Sequence, residues 1–202
     1  ALAPAVTQAQ SVTPCPAELP AGTTCYTGVD PNDAHYLIAM PQQWNRVLVM
    51  HVRGGPYPRH LTTRRSLEDG ARWAIWAHEG YAYAASEYRR GGYGARMAAE
   101  DTDNLRKFFI AKFGVPRRTI LHGQSWGGLA GGKTIELYAD ADGRKSYDGA
   151  LLTSGMLAGA TRGYDFRLDL RVVYQYYCRN HPRPDETQYP LWQGLPPDSS
   201  MT

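Results

Sequence analysis

Short apolar runs alternate with longer amphipathic segments through the middle of the chain. Four runs have the length and composition of buried strands: Arg46–Val52, Tyr81–Ser86, Arg118–His122 and Tyr147–Ser154. The segments between them predict helices over Ser66–His78, where Ser66 and Asp69 form a capping-box variant, over Ala95–Phe113, and after Gly128. Strands that alternate with helices predict an α/β fold with a doubly wound, mostly parallel sheet.

The pattern changes at both ends of this alternation. We predict a leader at residues 1–33, a core at 34–155 and a cap or linker segment at 156–202, with one helix over Asp165–Cys178. Early strands are predicted at Cys25–Thr27 and His35–Met40.

Two cysteines lie in the leader. Cys15 and Cys25 are separated by a Pro- and Thr-rich segment, and a disulfide between them is the best interpretation. A disulfide implies an oxidising compartment, so we expect a secreted or periplasmic protein. The start of the sequence has the composition of a mature terminus after signal removal.

Composition narrows the classes of function. The 202 residues are 43% apolar and 20% charged, which is ordinary for a globular domain. The net charge of +3 comes from 22 basic and 19 acidic residues, too even a balance for a nucleic-acid surface. The sequence has no apolar run long enough for a bilayer span and no convincing metal or cofactor motif. We expect neither a membrane partner nor a cofactor.

The spacing Gly123-x-Ser125-x-Gly127 follows a strand and precedes a small-residue helix. This is the nucleophile elbow, in which a strained turn exposes a serine hydroxyl and glycines allow tight strand-to-helix packing. The helix that begins after Ser125 would direct N–H groups at an oxyanion. The alternative is a glycine-rich turn that holds an ordinary surface serine.

A second glycine-rich segment, Arg53-Gly54-Gly55-Pro56, directly follows a predicted strand. Taken alone it is a tight turn. Together with the elbow it is the expected oxyanion loop, which donates one N–H while the residue after the nucleophile donates the other. A polar, glycine-rich loop at 87–94 follows the next strand, where such loops line a ligand crevice.

These residues resemble the α/β-hydrolase superfamily over residues 34–155. The elbow Gly123–Gly128 and the loop Gly54-Gly55-Pro56 are similar to those of proline iminopeptidases. The segment at 88–94 looks like a loop of prolyl oligopeptidase-type enzymes, with one residue fewer. The resemblance implies that Ser125 is the nucleophile and that the N–H groups of Gly55 and Trp126 form the oxyanion hole.

Two further residues are candidates for substrate binding. Arg53 stands where the iminopeptidases have histidine, and it would either bind a substrate carboxylate or form an ion pair behind the site. Glu87 is a candidate for a substrate amine, by similarity to the acidic cap residues of iminopeptidases.

The remaining triad groups are harder to place. The superfamily runs nucleophile, acid, histidine along the chain, and of six histidines only His181 follows Ser125. A triad of Ser125, Asp165 or Asp169, and His181 has the right order, but those carboxylates lie on a predicted helix. We favour an amino-terminal piece of a cleaved precursor whose second chain supplies the last strands, the acid and the histidine. The unpaired Cys178 would then pair across the cut.

The sequence therefore predicts a secreted serine hydrolase that acts on an ester or amide bond of a small-molecule or peptide substrate. The alternative, from another class, is a non-catalytic binding subunit that keeps the fold.

Overall fold

A computed structural model describes residues 10–55, 62–138 and 145–178 of the chain. Seven strands form one sheet in the order β1-β2-β3-β5-β4-β6-β7. The strands are β1 Ser11–Thr13, β2 Thr24–Val29, β3 His35–Met40, β4 Val47–Val52, β5 Ala82–Ser86, β6 Arg118–Gln124 and β7 Gly149–Thr153. The helices are α1 Arg64–Arg72, α2 Ile75–His78, α3 Ala95–Phe113, α4 Trp126–Tyr138 and α5 Ala160–Cys178.

The sheet is parallel where the helical crossovers lie. Strand β4 pairs in parallel with β5 and β6, and β6 pairs in parallel with β7, whereas β1, β2 and β3 form antiparallel pairs at one edge. Every residue of β4 and β5 is buried, because helices cover both faces. The predicted α/β fold with a mostly parallel central sheet is confirmed.

The two faces of the sheet have separate apolar clusters. Helices α1 and α2 cover a cluster that contains Leu37 and Tyr83. Helices α3 and α4 cover a larger cluster around Ile38, Leu48 and Phe109. Because side chains of a strand alternate between its faces, neighbours such as Leu37 and Ile38 belong to different clusters. This two-sided coverage makes the sheet doubly wound.

The amino-terminal segment takes part in the same sheet. The residues predicted as a leader include β1 and β2, which extend the sheet beyond β3. Cys15 and Cys25 are joined by a disulfide, as predicted. The chain divides into compact units after Gly159, and α5 belongs to the second unit. In the described part of the chain, none of the helices combines the length and the apolarity that a bilayer span requires.

The helix predicted over 66–78 is interrupted. Helix α1 ends at Arg72 and α2 begins at Ile75. The predicted capping box is wrong, because Thr63 is the N-cap residue and Ser66 lies inside the first turn. The Ser66 backbone N–H instead donates to the Glu87 carboxylate, which comes from the end of β5. A distant acidic residue thus caps this helix.

Strand β7 is the last strand of the described sheet and pairs only with β6. Its residues are exposed or half-buried, and Leu151 is 46% exposed. The strand predicted over residues 147–154 is therefore present as β7, but it lies at the edge of the described sheet and carries an exposed apolar side chain.

Candidate active site

A cavity of about 330 Å³ lies where β4 and β6 end. The two strands are adjacent and parallel, with Val52 beside Gly123, so the loops that follow them meet at one edge of the sheet. One side, the backbone wall, consists of the glycine loop Arg53–Gly55 and the elbow residues Gln124 and Ser125. The opposite side, the helix wall, consists of side chains from α1 and its carboxyl end: Arg65, Glu68, Asp69, Arg72 and Trp73.

The elbow has the geometry that its sequence predicts. Ser125 is exposed and has φ of 58°, a left-handed conformation that non-glycine residues rarely adopt. Its backbone N–H donates to the Thr153 carbonyl at 2.9 Å, and its carbonyl accepts from the Gly128 N–H at 2.9 Å. Neighbouring strands and the following helix therefore hold the strained residue in place.

Helix α4 begins at Trp126, directly after the serine. The first N–H groups of a helix have no carbonyl one turn earlier, and they carry the positive end of the helix dipole. The Trp126 side chain is buried and packs on Tyr88, with ring centroids 5.7 Å apart. Its N–H thus belongs to a fixed element beside Ser125.

The glycine loop and the elbow are in direct backbone contact. A Cβ atom added to Gly127 would lie 2.1 Å from the Val52 carbonyl oxygen, and one added to Gly54 would lie 2.8 Å from the Gln124 carbonyl oxygen. Both positions therefore require glycine. Gly55, the predicted second oxyanion donor, has φ of 78° and lines the same cavity as Ser125.

Arg53 and Glu87 form a buried ion pair. Arg53 Nε lies 3.2 Å from Glu87 Oε2, and the two side chains are 3% and 0% exposed. Burial raises the pKa of Glu87, and the charge of Arg53 opposes that rise. Glu87 is not among the residues that line the cavity, so contact with a substrate amine would require a rearrangement. Arg53 does line the cavity, where a substrate could reach it. Its binding of a substrate carboxylate stays a prediction.

A histidine pair lies beside the helix wall, and His51 itself lines the cavity. His51 Nδ1 is 3.0 Å from His122 Nδ1, and His51 Nε2 is 3.5 Å from the Asp69 carboxylate. Burial and the neighbouring His51 lower the pKa of His122 to about 4, and Arg72 adds to this effect. His122 is therefore neutral at pH 7, and the two Nδ1 atoms share one hydrogen bond.

The histidine pair does not supply a base for Ser125. Both ring nitrogens of His51 face other partners, and among the described residues no hydrogen bond joins a histidine to the Ser125 hydroxyl. The in-chain alternative is not tested by the structure, since Asp165 and Asp169 lie on α5 in the second unit and His181 lies outside the described residues.

The helix wall was not anticipated from the sequence. Arg65, Glu68, Asp69 and Arg72 are spaced i, i+3, i+4 and i+7, which places them on one side of α1. That spacing was a usable signal, because four charged residues on one side of a helix form a polar surface. Apolar periodicity alone indicates only the side that packs on the sheet.

Comparisons with known proteins are informative at the level of fold. No protein-family model and no curated protein sequence matches this chain. Acetyl xylan esterase 1 from Thermoanaerobacterium sp. is similar in structure at 15% identity and a TM-score of 0.50, over 89% of this chain and 64% of that one.

A rice cell wall degrading esterase, LipA from Xanthomonas oryzae, is similar at 14% identity and a TM-score of 0.45, over 66% of this chain and 41% of that one. The chain therefore spans less than two thirds of the length of either protein. The strand order, the elbow between β6 and α4 and the similarity to the acetyl xylan esterase together show that this chain has an α/β-hydrolase fold.

Proposed function

We propose that this protein is a serine hydrolase in which Ser125 attacks the carbonyl of an ester or amide. One observation carries the proposal: an exposed serine with φ of 58° stands at the start of a helix and shares a cavity with the Gly54–Gly55 backbone. In such a site the hydroxyl adds to the carbonyl carbon, a base accepts its proton, and the N–H groups of Gly55 and Trp126 stabilise the oxyanion.

The base and the acid of the triad would come from a further portion of the protein. This is supported by the contacts of His51 with His122 and Asp69, and by the edge strand β7, whose outer side has no partner strand in the part of the chain that the structure describes. In the cleaved-precursor form of this proposal, the exposed Cys178 forms a disulfide with that portion. Gel electrophoresis of active protein with and without reductant checks the link: one unchanged band would exclude it.

Two classes of substrate are the first to assay. An acetyl ester is a sensible first choice, because the acetyl xylan esterase shares this fold, and proline-type peptides follow from the iminopeptidase resemblance. The disulfide between Cys15 and Cys25 supports a secreted or periplasmic protein.

Labelling with a fluorophosphonate probe tests the proposal. We expect the full-length protein to label at Ser125 and Ser125→Ala to lose all labelling, because only an activated serine reacts at a useful rate. Ser154→Ala is the matched control: Ser154 is also exposed, has φ of 51° and follows the neighbouring strand. Equal labelling of wild type and Ser125→Ala would assign the reactive nucleophile to another residue and overturn the role of Ser125. No labelling of folded wild type would instead favour the non-catalytic binding subunit.

A further inference from the structure

We propose that Tyr88 is a positioning residue that holds the glycine loop Arg53–Gly55 in the conformation needed for oxyanion binding. The inference rests on the proposed function, since it assigns a role in the same site. Tyr88 has three features that support this role: a hydrogen bond to the loop, a strained backbone conformation and an aromatic contact.

The hydrogen bond connects the loop to the end of β5. The Tyr88 hydroxyl donates to the Arg53 carbonyl at 3.0 Å, in a fully enclosed environment where the tyrosine is 2% exposed. Burial raises the pKa of Tyr88 well above its usual range, so the hydroxyl keeps its proton at any working pH. Its donor capacity is therefore constant.

Peptide geometry carries the effect of this bond to the catalytic loop. The Arg53 carbonyl and the Gly54 N–H belong to one trans peptide and point in opposite directions. Fixing the carbonyl consequently fixes the direction of the Gly54 N–H and the starting point of the Gly54–Gly55 peptide. Two successive glycines would otherwise sample many conformations.

The backbone of Tyr88 is itself strained. Its φ of 61° is left-handed, which is uncommon for a bulky aromatic residue. The neighbouring contacts hold this conformation, because the Tyr88 N–H donates to Ser86 Oγ at 3.1 Å and Glu87 is fixed by Arg53. The strained conformation of Tyr88 has a function if it directs the ring of this residue towards the glycine loop.

The ring touches both sides of the predicted oxyanion hole. Its centroid lies 5.7 Å from that of Trp126, and the Arg53 guanidinium carbon lies 5.4 Å from it. Trp126 carries one predicted donor N–H, and Arg53 begins the loop that carries the other. A single buried side chain thus sets the spacing between the two donor-bearing segments.

The variant Tyr88→Phe removes the hydroxyl and keeps the ring. In the full-length protein we expect kcat on an activated ester to fall about tenfold, with KM changed less than twofold. The reason is that displaced N–H donors bind the oxyanion of the transition state less well, while binding of the ground-state substrate changes little. We also expect the backbone N–H order parameters of Gly54 and Gly55 to fall from about 0.85 towards 0.6 or lower.

Two matched variants control for stability. Tyr147→Phe removes a buried hydroxyl that bonds Asp103 at 3.2 Å, on the α3 side of the molecule. Tyr83→Phe removes a hydroxyl of β5 that has no hydrogen-bond partner among the described residues. Both should leave kcat and the two glycine order parameters unchanged, although Tyr147→Phe should lower the melting temperature.

The outcomes separate the two proposals. If Tyr88→Phe keeps wild-type kcat and rigid glycine N–H groups, or if Tyr147→Phe loses as much kcat, the positioning role is wrong. If the wild-type protein neither turns over esters nor labels with a fluorophosphonate, the proposed function fails. The order parameters still decide then whether Tyr88 holds the loop.

Discussion

The two walls of the cavity are built on different principles. The backbone wall derives its shape from main-chain contacts: Gly127 against Val52, Gly54 against Gln124, and a serine in a left-handed conformation. The helix wall derives its character from charged side chains on α1, several of which are exposed. We therefore expect the first wall to tolerate few substitutions and the second to tolerate many without loss of the fold.

Adding a methyl group at the backbone wall should have the largest effect. Gly127→Ala places a Cβ 2.1 Å from the Val52 carbonyl oxygen, where no flexible side chain can give way. We expect the free energy of unfolding to fall by more than about 3 kcal/mol, measured by urea denaturation. The control is Gly132→Ala in the same helix, where the new Cβ would meet only the ends of Leu157 and Leu152. A tolerated Gly127→Ala would contradict the rigid-wall account.

The buried ion pair behind the backbone wall should come next. Glu87→Gln keeps an acceptor for the Ser66 N–H but removes the charge opposite Arg53. We expect a loss of about 3 kcal/mol in the free energy of unfolding, because one charge stays buried. The exposed pair Lys133–Glu136 is the comparison: Glu136→Gln should cost less than about 1 kcal/mol. If both variants lost the same free energy of unfolding, burial of the Arg53–Glu87 pair would not contribute to stability.

Acid should weaken the molecule through the histidine pair. The pKa of His122 is lowered to about 4 from its usual 6.5, so the unfolded chain takes up a proton that the folded chain excludes. Stability is then present above pH 6.5 and declines as the pH falls towards 4. We expect a loss of about 2 kcal/mol between pH 7 and pH 5.

The variant His122→Asn checks this pH dependence, because it removes the titrating ring. Its free energy of unfolding should change much less over the same pH interval. The control His78→Asn alters an exposed histidine and should leave the wild-type slope unchanged. A wild-type slope in His122→Asn would show that His122 is not the source of the acid sensitivity.

The helix wall should show the smallest effect. Arg72→Ala removes a cation that packs on Trp73 at 5.1 Å, and we expect a stability loss below about 1 kcal/mol. Because the charge of Arg72 lowers the pKa of His122, this variant should raise that pKa, observed by NMR titration of the imidazole. Arg64→Ala removes an 81% exposed arginine outside the cavity and should leave the pKa unchanged.

The sequence predicted the backbone wall and missed the helix wall for physical reasons. A nucleophile elbow depends on local spacing, since Gly123, Ser125 and Gly127 all serve one turn, and its positive φ follows from that turn. Helix α3 likewise has its predicted bounds, because apolar residues recur with helical periodicity along it and Gly114 ends it. These features depend on residues close together in the chain.

Long-range contacts explain what was missed. The start of α1 depends on Glu87, 21 residues away from Ser66, and no local pattern marks that partnership. Strand β1 is three residues long, and only its pairing with β2 makes it a strand. An ion pair is one of the two roles predicted for Arg53, but the sequence does not identify Glu87 as its partner. The two residues follow different strands, and only the folded sheet brings them together and buries both.

The outer side of β7 affects how the protein behaves in concentrated solution. Among the described residues no strand pairs with this side, and Leu151 of β7 is exposed. An unpaired strand edge of this kind is a template on which a second molecule can align. Purified material should therefore self-associate with rising concentration through edge-to-edge addition. A lysine in place of Leu151 would raise its solubility.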